Sequence, residues 1–219
     1  MPEPQGDKLT RAQESARYAY RRALEKAVRS VSKGTGWRST QGCLFRDQSG
    51  WFLAVCPAVF IDRHRTTVLV TAKPMGIDPI FWDIVGLPEN GELPLSFRLN
   101  GAWTCGPPAF AEVEVDECGD VDETANRILK TADQQIDGIR SWGIEGFLQS
   151  CEENGADAYS YVAPRICALI AIGHLPEAVQ ICESAQKAGS TGGFTAPEGS
   201  FTEMAIRWLN RSLNSSTRH

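Results

Sequence analysis

The first regular pattern along the chain is that of an amphipathic helix over residues 8–33. Alanine and larger apolar side chains recur there at three- and four-residue steps, and Arg and Lys occupy other positions. This spacing gathers the apolar side chains on one helical face. Gly34 and Gly36 follow and predict the end of the helix. Because most of these apolar side chains are small, we expect this face to approach a sheet closely.

Three apolar runs then predict strands, at residues 43–47, 51–61 and 66–73. The polar segments between the runs are too short to hold a crossover helix, so we expect hairpins and an antiparallel meander. Pro57 interrupts the second run. Proline has no N–H to donate to a neighbouring strand, which predicts a bulge or an edge position at that point.

Residues 79–85 predict a short helix that Asp78 caps and Gly86 ends. This segment is apolar on nearly every side and includes Phe81 and Trp82. A helix without a polar face is either covered by the rest of the chain or exposes an apolar patch. We expect the C-terminal helices to bury it. The alternative is a self-association surface at Phe81 and Trp82.

Two further strands are predicted at residues 94–101 and 109–117, and only helices after Gly119. The helical segments cover roughly 121–140, 143–152, 157–172, 175–188 and 199–214. A run of strands followed by a run of helices is typical of α+β proteins. We predict a mainly antiparallel sheet of about five strands flanked by helices, with an all-helical C-terminal part. The predicted division is a sheet domain at 1–118 and a helical region at 119–219, which can also pack on the sheet as one domain.

Charge is distributed unevenly along the chain. Residues 109–160 hold three Lys or Arg against thirteen Asp or Glu, whereas the whole chain has a net charge of −5. Nucleic-acid binding needs a basic surface, so we expect no nucleic-acid ligand. An acidic surface favours a basic protein partner, because opposite charges speed association.

The acidic residues continue from the predicted strand at 109–117 into the start of the next helix. Alternate residues of a strand point to the same face, so its carboxylates share one side and its valines the other. The acidic positions are Glu112, Glu114, Asp116, Glu117, Asp120, Asp122 and Glu123. One interpretation is a docking surface for a basic partner. The other is a solvated strand face followed by a capped helix.

Motifs of known chemistry are missing from the sequence. Nucleophilic catalysis needs a base beside the nucleophile, and the internal histidines, His64 and His174, lie in no recognisable motif. The seven cysteines are widely spaced, so we expect no metal site, no cofactor and mostly buried free thiols in a reducing cytosol. Arg98 lies among apolar residues and is expected to pair with a carboxylate. We predict a protein without enzymatic activity. An enzyme of unknown class that uses carboxylates of 109–160 is the alternative.

The composition is that of a globular protein, and the lengths of the apolar runs exclude a transmembrane helix and a secretory signal from the prediction. Hydrophobic residues make up 42% and charged residues 22% of the 219 residues, which is ordinary for a globular protein with its own core. The chain has no apolar run long enough for a transmembrane helix, and its N-terminal residues lack the apolar stretch of a secretory signal. We therefore expect a cytoplasmic protein that does not bind a membrane.

Residues 36–108 contain the stretches GWRSTQGCLFRDQSGWFLAV, KPMGIDPIFWDIVGL and PLSFRLNGAW. These are similar in style to bacterial immunity proteins that neutralise polymorphic or interbacterial toxins. The resemblance covers about a third of the chain and carries over no functional residue. It implies an acidic cytoplasmic α+β protein that binds and blocks a toxin.

The predicted order of elements also resembles class I type III secretion chaperones, which are acidic and dimeric. That resemblance implies a homodimer that binds a secreted effector, with the helix at 79–85 near the dimer interface. The helices beyond about residue 150 depart from that family. A helical hairpin at 168–189 looks like one tetratricopeptide-type unit without its full consensus.

Overall fold

The structure of the protein is a computed structural model that describes residues 10–60, 65–100, 103–116, 120–154 and 161–216. The helices are α1 (Arg11–Val31), α2 (Ile77–Ile84), α3 (Phe97–Asn100), α4 (Val121–Glu153), α5 (Val162–Ala171), α6 (Leu175–Lys187) and α7 (Phe201–Ser216). The backbone of α4 is interrupted at Gly143, where φ is 61° and ψ is −169°, so α4 consists of two helical segments. The strands are β1 (Arg38–Thr40), β2 (Cys43–Gln48), β3 (Trp51–Phe60), β4 (Arg65–Pro74), β5 (Ala109–Asp116), β6 (Thr195–Ala196) and β7 (Gly199–Ser200). A 3₁₀ turn covers Pro88–Glu92.

Strands β1 to β5 form one antiparallel sheet in the order β1-β2-β3-β4-β5, and β6 pairs with β7 in a separate two-stranded ladder. The predicted α+β fold with a five-stranded sheet and a helical C-terminal part is therefore confirmed. β1 was not predicted. Because β3 lies between β2 and β4, the edge position expected for Pro57 is wrong, and the bulge stays a prediction.

The strand predicted at residues 94–101 is wrong. Backbone N–H groups of Phe97 and Arg98 donate to carbonyls three residues earlier, and the chain continues into the short helix α3. Arg98 then reaches Asp78, with Nη1 3.0 Å from Oδ2. The predicted pairing of Arg98 with a carboxylate is confirmed, although a helix and not a strand presents it.

Two compact units divide the described residues. The described residues of the first lie within 10–46, 54–70 and 110–137, and those of the second lie within 47–53, 71–109 and 138–216, so β3 and β4 contribute residues to both. Each unit combines several separate segments of the chain, whereas the predicted boundary near residue 119 divides the chain at one point. That boundary stays a prediction.

In the first unit α1 begins with a capping box between Thr10 and Gln13. The expected close packing of its small side chains holds only for the last part of the helix. Leu24, Ala27 and Val28 are buried, whereas the residues before Leu24 are exposed, except for the half-buried Tyr20. The hydroxyl of Tyr20 lies 3.4 Å from that of Thr124 in α4.

A disulfide joins Cys43 of β2 to Cys56 of β3, whose Cα atoms are 4.3 Å apart. Ser49 and Gly50, with φ of 53° and 81°, form the two-residue turn of this hairpin. Counting outward from the turn places Cys43 opposite Cys56. For these two residues the expectation of free thiols is wrong. Free and buried, as expected, are Cys105, Cys151, Cys167 and Cys182. Cys118 lies outside the described residues.

In the second unit α2 is covered by α5 and α7. Phe81 stacks on Phe201 of α7 with ring centroids 5.2 Å apart, and Phe81 and Trp82 are 4% and 1% exposed. Burial by the C-terminal helices is therefore confirmed, and these two side chains are not available as a self-association surface. Gly86 ends α2 with φ of +75°, as predicted. The predicted cap is wrong, because α2 starts after Gly76 and Asp78 lies inside the helix.

Candidate functional site

The predicted acidic strand is β5, and its described residues follow the expected alternation. Glu112 and Glu114 are exposed, Val113 is half-buried and Val115 is buried. Asp116 ends the strand, but its side chain lies outside the described part of the chain, as does all of Glu117. The sheet therefore holds two carboxylates on its solvent face at a fixed spacing.

The start of α4 supplies three more carboxylates. Asp120 precedes the helix, and its Oδ1 accepts the backbone N–H of Asp122 at 2.8 Å, so Asp120 acts as an N-cap. Asp120, Asp122 and Glu123 are all exposed. The capped helix expected under the structural interpretation is thus present. We use "acidic surface" for Glu112, Glu114, Asp120, Asp122 and Glu123.

Basic side chains lie among these carboxylates. Arg65 Nη1 is 3.1 Å from Glu114 Oε2, and Arg127 Nη2 is 3.0 Å from Glu123 Oε1. Arg127 also lines a shallow pocket of about 220 Å³ together with Glu114 and Lys130, so β5 and residues 127–134 of α4 border the same space. These side chains are partly exposed, and ion pairs of this kind contribute roughly 0–1 kcal/mol. Either ion pair can therefore be broken at little cost in stability.

A second feature, which the sequence did not predict, is a pocket of about 890 Å³ in the second unit. We call it the aromatic pocket. Its walls are the end of α2 with the following turn, Trp103, residues 194–198 and one face of α7. Small-molecule sites typically enclose about 300–1,000 Å³. The volume is therefore enough for a drug-sized ligand.

Trp103 is the most unusual residue of the aromatic pocket. Its φ is +64°, a left-handed conformation that bulky residues rarely adopt, and its side chain is 50% exposed. The indole Nε1 of buried Trp82 donates to the Trp103 carbonyl, and the Trp103 ring packs edge-on against Phe194 with centroids 4.8 Å apart. The surrounding structure thus holds Trp103 in place at the edge of the pocket.

The chain segment that follows Trp103 is held in place by buried charged side chains. Lys73 Nζ donates to Asp78 Oδ1 at 2.9 Å and to the Cys105 carbonyl at 2.8 Å. The backbone N–H of Cys105 donates to Asp78 Oδ1 at 3.0 Å. Asp78 therefore ties the chain two residues after Trp103 to α2, which explains why it does not cap the helix.

Two cationic side chains on α7 border the aromatic pocket. Arg207 and Arg211 are one helical turn apart and line it together with Asn210. Arg207 Nη2 donates to the carbonyl of Glu198 at 2.7 Å, which fixes the guanidinium beside the 194–198 segment. Such spacing is visible in the sequence, but nothing in the sequence shows that these arginines line the same pocket as Trp103.

The helix that carries these arginines, α7, starts with a capping box. Ser200 N–H donates to Glu203 Oε2 at 2.7 Å, and Glu203 N–H donates to Ser200 Oγ at 3.3 Å. The backbone and side-chain hydrogen bonds from Ser200 lower the pKa of Glu203. Gly199, with φ of +127°, leaves room for this carboxylate, because a Cβ there would lie 2.6 Å from Glu203 Oε2.

Among the described residues, no group of three or more His, Cys, Asp or Glu side chains is placed to hold a metal ion. None of the helices in the described ranges is long and apolar enough to cross a membrane. Comparisons with protein-family models, curated proteins and solved structures found no match to the chain.

Proposed function

We propose that the protein is a binding module that neutralises a basic protein partner, a bacterial toxin, through its acidic surface. The observation that carries the proposal is the exposure of Glu112 and Glu114 on one face of β5, while Val115 is buried. A strand held in a sheet keeps the two carboxylates about two residue spacings apart without further ordering. When a partner with matching Lys or Arg residues binds, the backbone of β5 therefore loses little conformational freedom.

The ion pairs within the acidic surface are compatible with this role. Arg65 pairs with Glu114 and Arg127 pairs with Glu123, and both pairs are exposed enough to exchange partners. Charged residues at the rim of an interface act mainly on the rate of association, because they steer the partner over distances of about one Debye length. We therefore expect the acidic surface to increase the association rate more than the lifetime of the complex.

The proposal needs no catalytic step and no cofactor, because blocking a toxin requires only that its surface be covered. We place the complex in the cytoplasm. Homodimerisation through Phe81 and Trp82, as in a secretion chaperone, is not proposed, because both side chains are buried in the core of the second unit.

A capture experiment with charge-reversed variants tests this function. The test variant combines Glu112→Lys with Asp122→Lys, and the matched control combines Glu89→Lys with Glu92→Lys in the exposed 3₁₀ turn. Both variants change the net charge equally, so only the position of the change differs. Each tagged protein is incubated with lysate of the producing organism, and bound proteins are quantified by mass spectrometry.

We expect wild type and control to retain the same basic protein, and the test variant to retain about tenfold less of it. A wash at high salt should release this protein from wild type. Equal recovery on the test and control variants would contradict the proposal, as would recovery of only acidic or neutral partners.

A further inference from the structure

The aromatic pocket offers an apolar surface that the proposed toxin neutralisation does not use. Trp103 and Phe194 contribute two aromatic rings in edge-to-face contact, and Ile84 and Met204 add buried aliphatic surface. Phe194 is itself held by an edge-to-face contact with Phe81, at 5.8 Å between centroids. These rings are therefore fixed by the core of the second unit and do not need to reorganise when an apolar group enters.

The backbone at Trp103 supports a binding role for this surface. A left-handed backbone conformation is unfavourable for a bulky residue such as Trp103. Here the hydrogen bond from the Trp82 indole and the contacts of Cys105 maintain the left-handed conformation of Trp103. As a result, the large indole of Trp103 is half exposed instead of buried. Strained residues held in place by their surroundings cluster at ligand sites.

The charged groups of the pocket favour an anion. Arg207, Arg211 and Glu198 line it, which gives a net charge of +1. A guanidinium carries five N–H donors, and the bond from Arg207 to the Glu198 carbonyl orients the group. Arginine binds carboxylates through paired hydrogen bonds. The apolar surface and the cations thus line the same pocket.

We propose that the aromatic pocket binds a small amphipathic acid, with its apolar body on Trp103 and Phe194 and its carboxylate at Arg207 and Arg211. This site is separate from the acidic surface, and either proposal can fail without the other.

Two fluorescent probes of nearly the same shape test the site. One is 8-anilinonaphthalene-1-sulfonate, which has an apolar body and one anionic group, and the other is its uncharged analogue N-phenyl-1-naphthylamine. Both are titrated against wild type, Arg207→Gln, Trp103→Gly and the matched control Arg17→Gln on the exposed part of α1. Circular dichroism and thermal unfolding of each variant show whether it is folded.

We expect one saturable site in wild type. Arg207→Gln should weaken the anionic probe by about tenfold, since it removes a charge-assisted hydrogen bond, and should leave the neutral probe unchanged. Trp103→Gly should weaken both probes, and Arg17→Gln neither. Dodecanoate should displace the anionic probe at lower concentration than dodecanol does.

The absence of a saturable site in wild type would overturn the proposal. So would equal weakening of both probes by Arg207→Gln, unchanged binding to folded Trp103→Gly, or equal displacement by dodecanoate and dodecanol.

Discussion

Lys73 and Asp78 form an ion pair from which water is excluded. The Lys73 Nζ lies 2.9 Å from Asp78 Oδ1, and the two side chains are 1% and 0% exposed. Arg98 bonds the second oxygen of Asp78, and Cys105 supplies a backbone acceptor and a backbone donor. Charges buried in this way are costly unless every partner is present. The cluster therefore fixes α2, α3 and the segment near Trp103 relative to each other.

Removing one member of this cluster should destabilise the protein strongly. Lys73→Met leaves Asp78 with a single cation in a site that excludes water, and we expect a loss of about 3–5 kcal/mol in the free energy of unfolding. Urea denaturation followed by circular dichroism measures this loss. Arg21→Met is the control, because the Arg21–Glu25 pair is largely exposed and its loss should cost less than about 0.5 kcal/mol. Similar losses for both variants would contradict the structural role of Lys73.

The Cys43–Cys56 bridge should stabilise the first unit. A disulfide that closes a loop of this length contributes about 3 kcal/mol, mainly by restricting the unfolded chain. We expect dithiothreitol to lower the urea midpoint of wild type and to leave the midpoint of Cys43→Ala/Cys56→Ala unchanged. Alkylation before and after cell lysis, read by mass spectrometry, shows whether the bond exists in the producing cells. Disulfides are rare in a reducing cytosol, so a bonded pair there would argue against the cytoplasmic location that we propose.

Two buried thiols should make stability depend on alkaline pH. Burial raises the pKa of Cys151 and of Cys182 to about 12. Because these values exceed that of an unfolded thiol, near 9, both thiols favour the folded state fully below pH 9, and that contribution is lost as the pH rises towards 12. The free energy of unfolding should therefore fall between pH 9 and pH 11.

Urea denaturation of a double alanine variant measures this contribution. Cys151→Ala/Cys182→Ala should show a shallower fall than wild type, by up to about 1.4 kcal/mol per pH unit for each thiol removed. Cys43→Ala/Cys56→Ala is the control and should keep the wild-type slope, because bonded cysteines do not titrate. An unchanged slope in the Cys151→Ala/Cys182→Ala variant would show that neither thiol is protected in this way.

The capping box of α7 should influence both the stability of the protein and the pKa of Glu203. Ser200→Ala removes the hydroxyl that caps the helix and is expected to cost about 1 kcal/mol. It also removes one hydrogen bond that lowers the pKa of Glu203, so the pKa measured by NMR should rise. A depressed carboxylate pKa favours the folded state at neutral pH, and this contribution is lost on acidification through the folded pKa. A variant with unchanged Glu203 titration would show that the backbone bond alone holds this carboxylate.

Local patterns were enough to predict several elements and failed for others. The hairpin of β2 and β3 follows from two apolar runs joined by Gln48, Ser49 and Gly50, and α2 ends at Gly86 as predicted. Local patterns also predicted Asp78 as a helix cap. That prediction failed because tertiary structure brings the partners Lys73 and Arg98 to Asp78. Short apolar segments fit a strand or a helix equally well, which is why residues 94–101 were predicted wrongly.

The two candidate sites also differ in how far local sequence patterns could predict them. The alternation of Glu112 and Glu114 with valines is a local property of β5, so their exposure could be predicted. The aromatic pocket depends on contact between Trp103 and Phe194, which are far apart in the sequence, and no local pattern indicates it. The disulfide is intermediate in this respect. The strand register that places Cys43 opposite Cys56 could be counted in the sequence from the Ser49–Gly50 turn.

The most direct measurement is the association rate constant between the protein and its captured basic partner at several salt concentrations. We predict that this constant falls steeply with salt for wild type, and that Glu112→Lys/Asp122→Lys lowers it about tenfold at low salt while Glu89→Lys/Glu92→Lys does not. The dissociation rate constant should change much less. An association rate that is insensitive to salt and identical in the two variants would contradict binding through the acidic surface.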